Sequence, residues 1–176
     1  GKRIAITGAT GFVGTALVER LLRSVPDCEL VLLVRDGQRT SAARRTDREI
    51  FRNDAFDRLR SECNTRGDDF ADIAARVTTI AGDVTRDGLG LNDADRTVFA
   101  NCDTVIHSAA AVSFDSPLDS AVEINLLGPS RIADLCNEIG ITPHLVSVST
   151  CYVAGNRRGN APEKLVSDGP FDIGID

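Results

Sequence analysis

The chain has 176 residues, 42% of them hydrophobic and 26% charged, with a net charge of −6; by length it is one globular domain and not a disordered segment. The acidic balance excludes a general nucleic-acid binder, yet it leaves room for a local basic pocket around a small anion. No apolar run approaches the ~20 residues of a membrane helix, so no membrane span is expected, nor is a signal peptide.

Ile4-Ala5-Ile6 reads as a short buried strand. It breaks into three glycines spaced G-x-x-G-x-x-G, at Gly8, Gly11 and Gly14. Thr15 to Leu22 then has helical periodicity, with Leu17, Val18, Leu21 and Leu22 on one side. Strand, glycine turn and helix form the context in which such a motif means dinucleotide binding. Gly8 permits the tight turn, Gly11 admits a pyrophosphate to the backbone, and Gly14 lets the helix pack closely. Gly8, Thr10, Gly11, Phe12, Val13 and Gly14 are therefore the expected phosphate-side residues, with the helix N-terminus holding the charge.

Leu30 to Val34 is a second strand, reached through a turn at Pro26-Asp27. Arg35 and Asp36 follow it. An acid at this place hydrogen-bonds a ribose 2′-OH, whereas an arginine accommodates a 2′-phosphate. Arg35 favours NADP; the alternative makes Arg35 a solvated charge and Asp36 the ribose ligand. Thr46-Asp47-Arg48-Glu49 reads as a capping box opening a helix to about Cys63. Arg44 and Arg45 lie beside its start, where either one turns toward the same phosphate or stays solvated. Gly67 to Ala75 is a polar connection with one possible helical turn.

Val77 to Ile80 is a third strand, ending in Gly82-Asp83-Val84. Asp83 is placed to accept from an adenine amino group, to cap the turn, or to do both. Asn92 is the expected N-cap of a short helix. Asp103 to His107 is a fourth strand that runs into Ser108-Ala109-Ala110-Ala111. Small side chains there suit a backbone lying against ribose and phosphate, or close strand–helix packing. His107 is a tempting acid–base group, but in a strand it reads as a structural hydrogen-bonding residue. Ser116 to Ile139 reads as one long helix with Asn125 on its apolar face, bent or opened at Pro129 and stopped at Gly140. A buried amide there must be hydrogen-bonded. His144 to Val148 is a fifth strand, followed by Ser149-Thr150-Cys151-Tyr152 in the expected ligand crevice.

The five cysteines form no CxxC pair, so reduced thiols and a cytoplasmic location are expected, with no disulfide and no metal site. Methionine is absent and Pro170 to Asp176 looks interrupted, so the chain is expected to be a piece of a longer protein.

Thr7-Gly8-Ala9-Thr10-Gly11-Phe12-Val13-Gly14, Leu33-Val34-Arg35, Gly82-Asp83-Val84, His107-Ser108-Ala109-Ala110 with Val112 and Phe114, Asn125-Leu126-Leu127-Gly128 and Val148-Ser149-Thr150 together resemble an extended short-chain dehydrogenase/reductase. The His-x-Ala-Ala-x-Val-x-Phe pattern is similar to the fatty acyl-CoA reductase branch, with its male-sterility-type NAD-binding domain, and to the reductase domains of carboxylic acid reductases. The resemblance implies NADPH-dependent reduction of a fatty acyl thioester, such as an acyl-CoA, to an aldehyde or alcohol. It assigns the 2′-phosphate to Arg35 and Arg45, the adenine side to Asp83 and Val84, and further cofactor contacts to Ser108, Ala109 and Ala110. It makes Thr150 the carbonyl-binding hydroxyl, with Ser149 beside it, and gives Asn125 support of the proton relay. One departure is severe: the family's Tyr-x-x-x-Lys pair is missing. The only tyrosine is Tyr152, four residues before Asn156, and the only lysines are Lys2 and Lys164.

The expected fold is therefore a Rossmann-type doubly wound α/β sheet of order 3-2-1-4-5, truncated before the substrate region. Residues 1–156 are its NADP-binding domain, and 157–176 begin a substrate region. This chain alone is expected to be inactive. Two rivals stay open: an NAD-dependent epimerase or dehydratase of the extended class, and a non-catalytic nucleotide sensor.

Overall fold

The computed structural model describes residues 1–113, 115–155 and 158–165. Phe114 of the His-x-Ala-Ala-x-Val-x-Phe pattern, Asn156 and the ending from 166 to 176 lie outside the described residues.

Five parallel strands form one sheet: β1 (Arg3–Thr7), β2 (Glu29–Val34), β3 (Val77–Ala81), β4 (Thr104–His107) and β5 (His144–Ser147), in the order β3-β2-β1-β4-β5. The expected order is met. Thr7 at the end of β1 is level with Leu33 on β2 and with His107 on β4, and His107 is level with Ser147 on β5. β1 and β2 are apolar without alternation because both of their faces are covered.

Successive strand residues feed opposite layers. Ile4, Ile6, Leu30, Leu32 and Val34 pack with Val18 and Leu22 of α1 (Phe12–Ser24) and with Ile50, Phe56 and Leu59. Ala5, Val31, Leu33, Ile80 and Val105 pack on the other side with Phe99, Ile132 and Leu135.

The segment after β2 departs from the capping-box expectation. Its helix opens earlier, as α2 (Ala42–Arg45), with Ser41 as N-cap. It widens into a π-turn over Thr46–Phe51, breaks at Asn53, and resumes through a 3-10 turn (Asp54–Phe56) as α3 (Asp57–Arg66). Thr46 is buried inside this run, and its hydroxyl accepts from Thr79 of β3 at 3.0 Å. Glu49 turns to Arg45 instead of closing a box.

A short α4 (Phe70–Ala74) leads to β3, and α5 (Asp93–Ala100) begins at Asn92, whose Oδ1 accepts the Asp95 N–H as expected. The long helix expected from Ser116 is also divided, into α6 (Leu118–Ala121), a π-turn (Val122–Leu126) and α7 (Leu127–Glu138). Pro129 has no N–H to give at the start of α7, and the widened turn comes immediately before it. Gly140 ends α7 with φ +71, the left-handed conformation that favours glycine.

Candidate dinucleotide-binding cleft

The carboxyl ends of β1, β2 and β4 open into a cleft. Gly8 turns the chain out of β1 with φ +72. A Cβ on Gly8 would lie 2.5 Å from the Ala109 nitrogen, so the glycine turn rests directly on the chain leaving β4. Ser108, Ala109 and Ala110 also line the cleft. A Cβ on Gly14 would stand 2.1 Å from the Gly8 carbonyl oxygen, so Gly14 serves packing between α1 and the turn. Gly11 differs: a Cβ there would meet only the Gly8 oxygen, at 3.3 Å. Its hydrogen faces open space.

The first helical bond of α1 runs from the Thr15 N–H to the Gly11 carbonyl, at 2.9 Å. The amides of Phe12, Val13 and Gly14 precede it and have no intrahelical acceptor. The Phe12 side chain is 95% exposed, so it leaves the amides uncovered. Of the expected phosphate-side residues, Gly8, Thr10 and Gly11 line the cleft, whereas Phe12, Val13 and Gly14 stand outside its lining. A helix start with unpaired main-chain N–H groups, next to a glycine that lines the cleft, fits a diphosphate.

Arg35 and Arg45 line the opposite end. The Arg35 guanidinium is exposed and lies 4.0 Å from the Asp83 carboxylate. Arg45 is held on three sides. Its Nε and Nη2 donate to Glu49 at 3.1 and 2.8 Å, and its Nη1 donates to the Arg35 carbonyl at 2.8 Å. The hydrogen bonds to Glu49 raise the Arg45 pKa, and the same contact holds the Glu49 carboxyl below its ordinary range. Arg44 is exposed outside the lining.

Asp83 and Val84 form a side wall. Asp83 accepts from the Thr85 N–H at 2.9 Å and from its hydroxyl at 2.8 Å, while its own N–H donates to the Leu89 carbonyl. This closes the turn, as one of the two sequence readings has it. Leu89 is buried with φ +55, the only left-handed non-glycine among the described residues.

Asn125 is exposed, contrary to the expectation of a buried amide, because the π-turn rotates it off the apolar face. Its amide is nonetheless fully directed: Oδ1 accepts the Ala111 N–H at 2.8 Å, and Nδ2 donates to the Ala111 carbonyl at 3.0 Å. Thr150 and Ser149 are exposed beyond β5 and stand outside the cleft lining. The Thr150 hydroxyl oxygen accepts the Tyr152 N–H at 3.2 Å and opens a 3-10 turn (Cys151–Ala154).

Thr7, Leu33, Val34, Thr85 and Ile124 also line the cleft, and sequence reading gave none of them a site role, although Thr7 and Leu33-Val34 stand in the motifs quoted above. Thr7 and Val34 are the last residues of their strands, and that position was the available signal. Among the described residues no group of three or more His, Cys, Asp or Glu side chains is placed to hold a metal. No described helix is long and apolar enough to cross a membrane.

A parallel sheet of this order, with a glycine turn feeding a helix N-terminus at the switch between β1 and β4, defines a Rossmann-type dinucleotide-binding domain. The chain belongs to the male sterility protein family of NAD-binding domains, whose model matches residues 6–173. It is 33% identical over 168 residues to fatty acyl-CoA reductase 8 of Arabidopsis thaliana, which covers 93% of this chain and 33% of the relative. It is 33% identical to the alcohol-forming fatty acyl-CoA reductase of Simmondsia chinensis, over 98% of this chain and 34% of that protein. The crystal structure of the terminal R domain from the myxalamid PKS-NRPS biosynthetic pathway superposes with a TM-score of 0.68 at 28% identity, over 97% of this chain and 39% of that one. The chain thus spans about a third of the length of the curated relatives it matches.

Proposed function

We propose that this chain is the cofactor-binding part of an NADPH-dependent reductase acting on fatty acyl thioesters such as acyl-CoA. The observation that carries the reading is the pair Arg35 and Arg45 at one end of a glycine-turn cleft, in a chain similar to fatty acyl-CoA reductases. Residues 1–156 hold the cofactor, and 157–176 begin the substrate region. Free thiols at all five cysteines suit a reducing compartment, and we place the protein in the cytoplasm.

In this reading the Phe12, Val13 and Gly14 amides bind the pyrophosphate over Gly11. Thr10 closes that side, and Ser108, Ala109 and Ala110 lie against the ribose. Arg35 and Arg45 hold the 2′-phosphate, with Glu49 and the Arg35 carbonyl fixing the plane of the Arg45 guanidinium. Asp83 and Val84 border the adenine. When bound, the nicotinamide supplies the hydride. Thr150 donates its hydroxyl proton in a hydrogen bond to the acyl carbonyl, since its oxygen is already an acceptor for Tyr152. Ser149 is the neighbouring donor. Asn125 holds the Ala111 main chain, just past the cleft-lining Ser108-Ala109-Ala110, and in this reading that is how it supports the relay.

Titration calorimetry with both nicotinamide cofactors tests the cofactor assignment. NADPH binds more tightly than NADH, and Arg35→Ala costs ~1.5–3 kcal/mol for NADPH alone, the scale of a charge-assisted contact. Equal loss for both cofactors contradicts the role given to Arg35.

A further inference from the structure

The loop from β2 to α2 carries both signs of charge. Arg35 and Arg45 line the cleft, whereas Asp36, one residue further on, does not. Its carboxylate is turned onto α2, where Oδ1 accepts the Ala42 N–H at 2.7 Å. Three more ties close the loop. The Gly37 N–H donates to the Thr40 carbonyl at 2.8 Å, Ser41 Oγ accepts the Arg44 N–H at 3.3 Å, and Arg45 Nη1 donates to the Arg35 carbonyl at 2.8 Å. At the end of the second strand of such a sheet, a free carboxylate would accept a ribose 2′-OH and repel a 2′-phosphate. Here that carboxylate is engaged elsewhere, where a main-chain N–H at a helix start offsets its charge.

We infer that the Asp36–Ala42 hydrogen bond is a specificity-determining latch, which keeps a further carboxylate, beyond Asp83 beside Arg35 and Glu49 beside Arg45, away from the place of a 2′-phosphate. The inference rests on the NADPH reading above and deepens it. Asp36 acts through its position and is a positioning residue. The latch turns a loop that carries the acid of an NAD site into one that selects NADPH.

Ala42→Pro tests the latch with little other change. Ala42 is the first residue of α2, where the fixed φ of proline fits and no helical hydrogen bond is lost. Ser41 before it has φ −68 and ψ 158, the conformation that proline imposes on its predecessor. What disappears is the N–H that Asp36 accepts. Titration calorimetry on the full-length protein reads the ratio of NADPH to NADH affinity. Wild type favours NADPH. Ala42→Pro lowers the ratio roughly fivefold or more, on the scale of a like-charge juxtaposition at a partly screened site. Adding Asp36→Asn to Ala42→Pro restores the ratio, which a purely structural defect would not allow. Asp36→Asn alone keeps the wild-type ratio, because its amide oxygen still accepts from Ala42. Ala42 is buried, so Asp36→Glu gives a second route: its longer side chain breaks the same bond and lowers the ratio. An unchanged ratio in folded Ala42→Pro or in Asp36→Glu overturns the latch, as does a double variant that does not recover. A wild-type preference for NADH overturns the NADPH reading itself, and the latch with it.

Discussion

Thr7 Oγ1 and His107 Nδ1 lie 2.7 Å apart, joining the ends of β1 and β4 beneath the cleft. Both residues are buried, and they are level with each other in the sheet. The imidazole is thus a cross-strand hydrogen-bonding group, the structural role that its place in a strand suggested.

Burial pulls the His107 pKa below its ordinary 6.5. The unfolded chain therefore takes up a proton near that pH which the folded chain declines. Protons bound preferentially by the unfolded state make stability fall as pH falls. The contribution of His107 is intact above ~6.5 and declines below it, whereas carboxylates such as Glu49, held low by Arg45, act only near ~4.5 and under. We expect the melting temperature to drop between about pH 7.5 and 5.5, and His107→Asn to flatten that drop. Thermal melts of the two proteins at both pH values check this. Equal slopes contradict the assignment.

Gly11 and Gly14 separate binding from packing. Gly14→Ala drives a Cβ into the Gly8 carbonyl, 2.1 Å away, and backbone cannot yield there as a flexible side chain would. A destabilisation of about 1–3 kcal/mol or more is expected, as for other overpacked sites. Gly11→Val is expected to keep the fold, because its Cβ meets only the Gly8 oxygen, at 3.3 Å, and to abolish dinucleotide binding. Denaturant melts and calorimetry on both variants check the division. A Gly11→Val protein that unfolds would return Gly11 to a packing role.

The strands, their order and the glycine turn that opens α1 were legible in the sequence because each rests on local signals. An apolar run, a glycine, and a charged residue just past Val34 all act within a few residues. The misread parts depend on partners far along the chain. Thr46 resembles an N-cap, but it is buried against Thr79, thirty-three positions later, while Ser41 caps the helix. Asn125 keeps helical spacing, yet the π-turn that precedes α7 moves it off the buried face and onto Ala111. The left-handed Leu89 gave no local sign, because its conformation is held by the Asp83–Leu89 bond and by its burial.

Thiol chemistry offers an independent check. Cys28, Cys63, Cys102 and Cys136 are buried and Cys151 is exposed. Burial pushes the Cys102 thiol up to about 11, so it has almost no thiolate at neutral pH. A thiol reagent at mild pH should modify one cysteine per native chain quickly, and Cys151→Ser should remove that fast phase. Several fast thiols in the wild-type protein would mean that the buried positions open.

These 176 residues alone should not oxidise NADPH in the presence of a long-chain acyl-CoA. An acid of lowered pKa must stand at the carbonyl, and Tyr152 has no lysine one helical turn away. Thr150 alone is too weak an acid, and general acid assistance is worth ~10²–10⁴ in rate. Robust turnover by this chain would refute the division of roles.

The most direct measurement is turnover by the full-length protein with NADPH and a long-chain acyl-CoA, following loss of NADPH together with release of the free CoA thiol. The account predicts that both proceed in step at the first reduction, that NADH is a poor substitute, and that Thr150→Ala slows them about tenfold or more, as for loss of one donor to a developing oxyanion. Absence of thiol release from acyl-CoA by a folded, NADPH-binding protein, or an unimpaired Thr150→Ala variant, would contradict it.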